Sequence, residues 1–113
     1  MKRISIICAA AMISSITFSH ANSEGKELNG NELKELCENP KERGLCVGYV
    51  NGVADSMIYE NIFCVTSSST HERFTRIVKD YLSEHPDKLH IHAGILVLDA
   101  LKEAFPCQNT PSD

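Results

Sequence analysis

Hydrophobic side chains recur along this chain at the three- and four-residue spacing that is typical of amphipathic helices. The clearest run covers residues 46–58, where apolar residues return at i, i+3, i+4 and i+7 and form one face. Residues 29–37, 74–82 and 91–105 follow the same period, and only the short apolar piece 62–66 resembles a strand. The pattern predicts an all-α fold, a compact bundle of about four helices.

Capping residues and a proline indicate where these helices begin and end. Asn29 with Glu32, and Ser69 with Glu72, have the spacing of a capping box, in which each side chain accepts a hydrogen bond from the other residue's backbone N–H. We therefore expect helices to begin at these two points. Pro86 should end the third helix, because the residue before a proline is disfavoured in helical geometry.

Two glycines in the second predicted helix need a structural reason, because glycine costs about 1 kcal/mol in a helix interior. Gly48, Gly52 and Ser56 form a stripe of small residues along one side. Such a stripe allows close packing of another helix, either within the fold or across a homodimer. A frayed or kinked helix is the alternative.

The N-terminus has the layout of a cleavable signal peptide. Two basic residues precede the uncharged segment 4–18, and Ser19 and Ala21 supply small side chains where signal peptidase reads them. We expect cleavage after Ala21; an uncleaved anchor or a buried helix is the alternative, although about 15 apolar residues are short for a membrane span. The chain then divides as follows: 1–21 signal peptide, 22–28 flexible leader, 29–107 helical domain, 108–113 disordered tail.

Cleavage would leave 92 of the 113 residues with a net charge of −6, because the removed segment holds two of the 11 basic residues and none of the 15 acidic ones. Without a cluster of lysine and arginine, this acidic balance argues against binding to nucleic acid. We expect no membrane contact after cleavage. The charge suits a basic protein partner.

Four cysteines remain once Cys8 leaves with the signal peptide. An even number in a small exported domain predicts two disulfides, which can connect in three ways. The predicted helix order ranks these ways, because Cys37 ends the first helix and Cys46 begins the second, whereas Cys64 and Cys107 each follow a helix. We therefore hypothesise the pairs Cys37–Cys46 and Cys64–Cys107.

Signals for catalysis or metal binding are weak. His85, His90 and His92 lie within eight residues and His71 upstream, but His90 and His92 point to different sides of a helix and His85 precedes a proline, which is poor zinc-ligand geometry. The acids nearest apolar surroundings show no pairing and are interpreted as solvated or interface charges: Asp55, Asp99 and Glu103. We expect no catalytic residue, no metal and no cofactor, and therefore no enzyme.

Four motifs follow one another in the helical domain: Cys46-x-Gly48-Tyr49-Val50-x-Gly52-Val53-x-Asp55, then Phe63-Cys64, then Tyr81-Leu82-x-x-His85-Pro86 with Leu89-His90, then Ala100-Leu101-x-x-Ala104-Phe105-Pro106-Cys107. Together they resemble the Rap/Tai family of type VI secretion immunity proteins, over about residues 30–107. The chain departs from the family at Cys64-Val65-Thr66, where Cys-x-Pro is frequent, and at Glu72, where Gln is frequent. The loop into the third helix is therefore expected to differ, which leaves the identity of the effector open.

The resemblance implies an all-helical fold, residence in the periplasm of a Gram-negative bacterium, frequent homodimers, and binding to a peptidoglycan amidase effector whose active-site groove is blocked. On this hypothesis the chain is a rigid, stoichiometric inhibitor. Polar turns between helices are the expected contact segments, first 83–92 and then 67–71. The predicted partner-binding residues are Ser83, Glu84, His85, Asp87, Lys88, His90, His92, Ser67, Ser68 and Ser69.

Other interpretations share the same evidence. Each of these loop residues can be a plain solvated connection instead. A small periplasmic chaperone for acid or envelope stress, or a structural helical module without a toxin partner, has the same size, helicity and disulfides. An enzyme is the third possibility, and it requires a cleft with a perturbed acid–base pair.

Overall fold

The computed structural model of the chain describes residues 25–108. The predicted signal peptide, residues 1–21, and the tail after residue 108 lie outside the described residues. The described part contains these helices in order: α1 (Gly30–Glu38), α2 (Arg43–Tyr59), α3 (His71–Glu84), a 3-10 helix (Pro86–Lys88) and α4 (Ala93–Ala104). The prediction of an all-α bundle of four helices is confirmed. The piece 62–66 forms no strand, and the strand-like pairing among residues 25–108 is an isolated bridge between Asn29 and His92.

Helix α4 supplies a large part of the core. It packs against α1, α2 and α3, and its inward side chains are almost wholly buried: Ala93, Leu96, Val97, Ala100 and Leu101. A helix that is apolar on most sides must be covered on most sides, which is why the apolar run 91–105 becomes the core.

The capping prediction is correct for α1 and wrong for α3. At α1, the Asn29 side chain accepts a hydrogen bond from the N–H of Glu32 (3.1 Å), and the Glu32 carboxylate accepts one from the N–H of Asn29 (3.0 Å). At α3 the cap is Thr70, whose hydroxyl oxygen accepts from the N–H of Arg73 (3.1 Å), and not Ser69. The helix therefore begins one residue later than the Ser69 pattern predicted.

The glycines of α2 do not pack against another helix of the fold, so the first of the alternatives for this stripe is wrong. A Cβ atom added at Gly48 or Gly52 would meet no heavy atom within 4 Å. The buried side of α2 is the opposite one, formed by Cys46, Val50, Asn51 and Ala54. The small-residue stripe therefore faces away from the core.

Two disulfides have the hypothesised pairing, Cys37–Cys46 and Cys64–Cys107, each with a Cα–Cα distance of 4.9 Å. The first joins the end of α1 to the start of α2 and is buried. The second joins the segments that follow α2 and α4. Beside it three aromatic rings have centroids 5.5 to 6.2 Å apart: Phe63, Phe74 and Phe105.

The two bridges should differ in how much they stabilise the fold. They close loops with sequence separations of 9 and 43, for which the chain-entropy model gives about 2.7 and about 4 kcal/mol. A C37A/C46A variant keeps only the longer bridge, and C64A/C107A keeps only the shorter one. Each variant is unfolded with urea in its oxidised and in its reduced form. The packing lost through the two alanine substitutions is the same in both forms, so the difference between them measures the remaining bridge alone. We expect the larger oxidised-minus-reduced difference for C37A/C46A, and the reverse order would contradict the entropy argument.

Candidate functional site

The polar turn between α3 and α4 is hydrogen-bonded to the start of α1. The backbone N–H of Gly30 donates to the carbonyl of Ile91 (2.9 Å), and the N–H of Asn31 donates to the carbonyl of Leu89 (3.0 Å). The Asn31 side-chain amide donates to the same Leu89 carbonyl (3.2 Å). These bonds hold the backbone of the turn in one shape.

Gly30 is the residue that allows this close approach. A Cβ atom at this position would lie 2.5 Å from Leu96 Cδ1 and 2.9 Å from the Cα and carbonyl oxygen of Leu89. The N–H of Ala93 also donates to the carbonyl of Leu28 (2.8 Å). The end of the segment predicted as a flexible leader therefore takes part in holding the turn.

Most of the predicted partner-binding side chains on this turn are exposed. They include two carboxylates and two imidazoles: Ser83, Glu84, Asp87, His90 and His92. The turn brings them to one end of the bundle, between the end of α3 and the start of α4. The imidazole of His92 has a fixed orientation, because its Nδ1 accepts a hydrogen bond from the N–H of Gly94 (3.1 Å) and caps α4.

His85 and Lys88, also predicted to bind a partner, are half-buried and support the turn. The rings of His85 and Tyr81 lie 4.1 Å apart, and Lys88 Nζ donates to the Tyr81 hydroxyl (3.3 Å). That hydrogen bond raises the pKa of the Lys88 amine, so the amine stays charged. The two side chains brace the turn through Tyr81.

The second predicted segment, serines 67–69, lies at the opposite end of α3. The Ser68 hydroxyl accepts from Arg73 Nη1 (2.7 Å), and the Ser69 hydroxyl accepts from the N–H of Thr66 (2.8 Å). Helix α3 has 14 residues, so its ends are about 20 Å apart. The structure therefore does not bring the two predicted segments together.

A groove of about 470 Å³ between α2 and α3 was not predicted from the sequence. Its lining consists of Cys37, Arg43, Cys46, Val47, Glu72, Thr75, Arg76, Lys79 and Asp80. The four-residue spacing of Glu72, Arg76 and Asp80 places these charges on one face of α3. Nothing in the sequence indicated that Arg43 of α2 would lie opposite that face.

A buried amide lies where α2 packs against α3. Asn51 is only 9% exposed, and its Nδ2 donates to the carbonyl of Val47 (2.8 Å) and approaches the Thr75 hydroxyl oxygen (3.5 Å). Among residues 25–108, its Oδ1 has no hydrogen-bond partner. A buried acceptor without a partner costs about 1–3 kcal/mol.

Acid–imidazole and metal chemistry have little structural support in the described residues. His71 Nε2 lies 3.3 Å from Asp55 Oδ1, but both side chains are exposed. Within residues 25–108 no three His, Cys, Asp or Glu side chains are placed to hold a metal ion. None of the helices in that range is long and apolar enough to cross a membrane.

The helical domain matches a known family. A model of the Rap1a immunity proteins matches residues 29–107, the segment that contains the four helices and both disulfides. A search of curated proteins finds no significant match. The matched segment begins at Asn29, which caps α1, and ends at Cys107, which closes the second disulfide.

Substitution of Gly30 should loosen the turn. We expect Gly30→Ala to lower the free energy of unfolding by about 1–3 kcal/mol, because the added methyl group overlaps the backbone of Leu89. Gly44→Ala is the matched control; it meets open space and should raise the free energy of unfolding by up to about 1 kcal/mol. Urea denaturation measures both, and hydrogen exchange at Asn31 and Ala93 reports on the turn. If Gly30→Ala unfolds at the same urea concentration as the wild type and protects these amides from hydrogen exchange equally well, the role of this contact is disproved.

Proposed function

The chain belongs to the Rap1a family of immunity proteins, and from this premise we propose that it binds a type VI secretion effector with peptidoglycan amidase activity and blocks its active-site groove. Family membership over the whole disulfide-bonded domain carries the proposal. It favours an immunity protein over a stress chaperone or a structural module. The chain would act as a stoichiometric inhibitor and not as an enzyme.

The turn 83–92 is the proposed inhibitory element. Its backbone is already fixed by the hydrogen bonds from Gly30 and Asn31, so little conformational entropy is lost on binding. Asp87 and His90 are exposed at its tip and supply an acceptor and a titratable ring to the effector. Serines 67–69 are the second proposed contact, about 20 Å away along α3, and would touch the rim of a large effector.

The proposed location is the periplasm. Two disulfides in a domain of this size are typical of oxidising compartments. The signal peptide predicted at residues 1–21 would deliver the chain there. Inhibition in the periplasm would place the protein where peptidoglycan is attacked.

We further propose a homodimer through the exposed face of α2. Leu45 and Tyr59 are 62% and 85% exposed on this face, and Gly48, Gly52 and Ser56 lie between them. The spacing is symmetric about Gly52, with Gly48 and Ser56 four residues away and Leu45 and Tyr59 seven residues away. In an antiparallel two-fold pair, Gly52 meets Gly52, Gly48 meets Ser56 and Leu45 meets Tyr59, as an isologous interface requires.

Capture of the effector tests the immunity role. The oxidised chain, used as bait against type VI effectors, should recover a peptidoglycan amidase at a one-to-one ratio and stop its hydrolysis. Asp87→Lys should weaken binding about tenfold or more if the turn is the inhibitory element. Glu35→Lys, an equal charge change on the exposed side of α1, should not. Calorimetry gives both affinities. A bait that captures no amidase would disprove the immunity role, and an Asp87→Lys variant with wild-type affinity would disprove the role of the turn.

Substitution at the symmetry point tests the dimer. Gly52→Leu places a side chain in open space, so the fold should be retained while two copies can no longer approach closely. Light scattering over a range of concentrations should show a dimer for the wild type and a monomer for Gly52→Leu. Gly44→Leu, about 80° around the helix, should remain dimeric. A monomeric wild type, or a dimeric Gly52→Leu, excludes this interface.

A further inference from the structure

The groove between α2 and α3 is a positive site on an acidic protein. Arg43, Arg76 and Lys79 line it, together with the carboxylates of Glu72 and Asp80. In the part of the chain that the structure describes, none of the three cations forms an ion pair. The groove therefore has a local charge of +1, whereas the chain as a whole has a net charge of −4. An acidic ligand is attracted here while most of the surface repels it.

The floor of the groove is apolar and rigid. It contains Val47 and the Cys37–Cys46 disulfide, both of whose cysteines are at most 6% exposed. Because the disulfide fixes α1 against α2, the floor does not need to reorganise when a ligand enters. The aliphatic part of a ligand side chain can pack on this floor.

The polar groups of the groove require a ligand with both hydrogen-bond donors and acceptors. The three cations need an acceptor. The carboxylates of Glu72 and Asp80 need a donor. A simple anion supplies only acceptors. A peptide with acidic side chains supplies both, because each residue adds a backbone N–H.

The groove leads toward the inhibitory turn. A smaller hollow beside it is lined by Lys34, Cys37, Glu38, Lys79, Leu82 and Ser83. This hollow shares Cys37 and Lys79 with the groove and reaches Ser83, the first residue of the turn segment 83–92. A protein seated on the turn can therefore extend a segment along α3 into the groove.

We propose that this groove binds an acidic peptide segment of the effector, with a carboxylate among Arg43, Arg76 and Lys79 and backbone N–H groups facing the carboxylates of Glu72 and Asp80. The assignment of the segment to the effector rests on the proposed function. The groove then acts as a second anchor, separate from the turn. It admits effectors whose acidic segment reaches it and disfavours those that present a basic or apolar segment there.

A peptide titration tests the groove without any effector. The probe is a short blocked peptide of alternating glutamate and glycine, and the control peptide has glutamine in place of glutamate. In nuclear magnetic resonance spectra of the oxidised chain, the glutamate peptide should shift the backbone amides of Val47 and Thr75. Arg76→Glu should weaken this binding about tenfold. Lys102→Glu is the same type of charge reversal at an exposed position of α4, and it should leave the binding unchanged.

The same two variants are then measured against the effector that the wild type captures. We expect Arg76→Glu to bind it about tenfold more weakly and Lys102→Glu to bind it as the wild type does. A glutamate peptide that shifts no groove resonance, or a glutamine peptide that shifts them equally, overturns the groove site whatever the effector does. If the peptide binds but the wild type captures no amidase, the proposed function fails and the acidic-peptide site stands. If the effector binds Arg76→Glu as tightly as the wild type, its segment does not occupy the groove.

Discussion

The contact between the first residue of α1 and the turn before α4 joins the first helix to the proposed inhibitory element. Because Gly30 has no side chain, its backbone lies against Leu89, and two N–H groups of α1 reach carbonyls of the turn. This contact sets the position of α1 against the start of α4. The Cys37–Cys46 bridge at the other end of α1 then positions the start of α2. The close approach of α1 to the turn thus depends on a single glycine.

The molecule separates its surfaces by chemistry. The turn at one end of the bundle presents carboxylates and imidazoles, the outer face of α2 presents apolar and small residues, and the groove between α2 and α3 presents cations. Helix α3 contributes to two of these surfaces, since Arg76 and Lys79 line the groove while Ser83 and Glu84 begin the turn. In the proposed complex a protein partner uses the turn and the groove together, and in the proposed dimer a second copy occupies the face of α2.

Hydrophobic periodicity was sufficient to predict four helices, and the order of the cysteines along them was sufficient to rank the disulfides. The Asn29 cap was predictable because its partner Glu32 lies three residues away. Ser69 and Thr70 both carry a hydroxyl, and the choice between them depends on backbone dihedral angles that the sequence does not specify. The period of helix α2 indicated its buried face correctly. Whether another helix of the fold would cover Gly48 and Gly52 depends on tertiary packing, which the period does not specify. The groove could not be predicted, because its prediction requires knowing which helices are neighbours.

The dependence of the turn on backbone contacts has an evolutionary consequence. Its shape comes from main-chain hydrogen bonds, from Gly30 and from the bracing side chains of His85 and Lys88, whereas the exposed side chains of Asp87 and His90 make none of the hydrogen bonds that hold it. Mutations at those positions are therefore nearly neutral for folding and can accumulate one at a time. On the proposed function, the contact residues can therefore change as an effector changes. Closely related strains can then lose protection against each other's effectors while their proteins keep the same architecture.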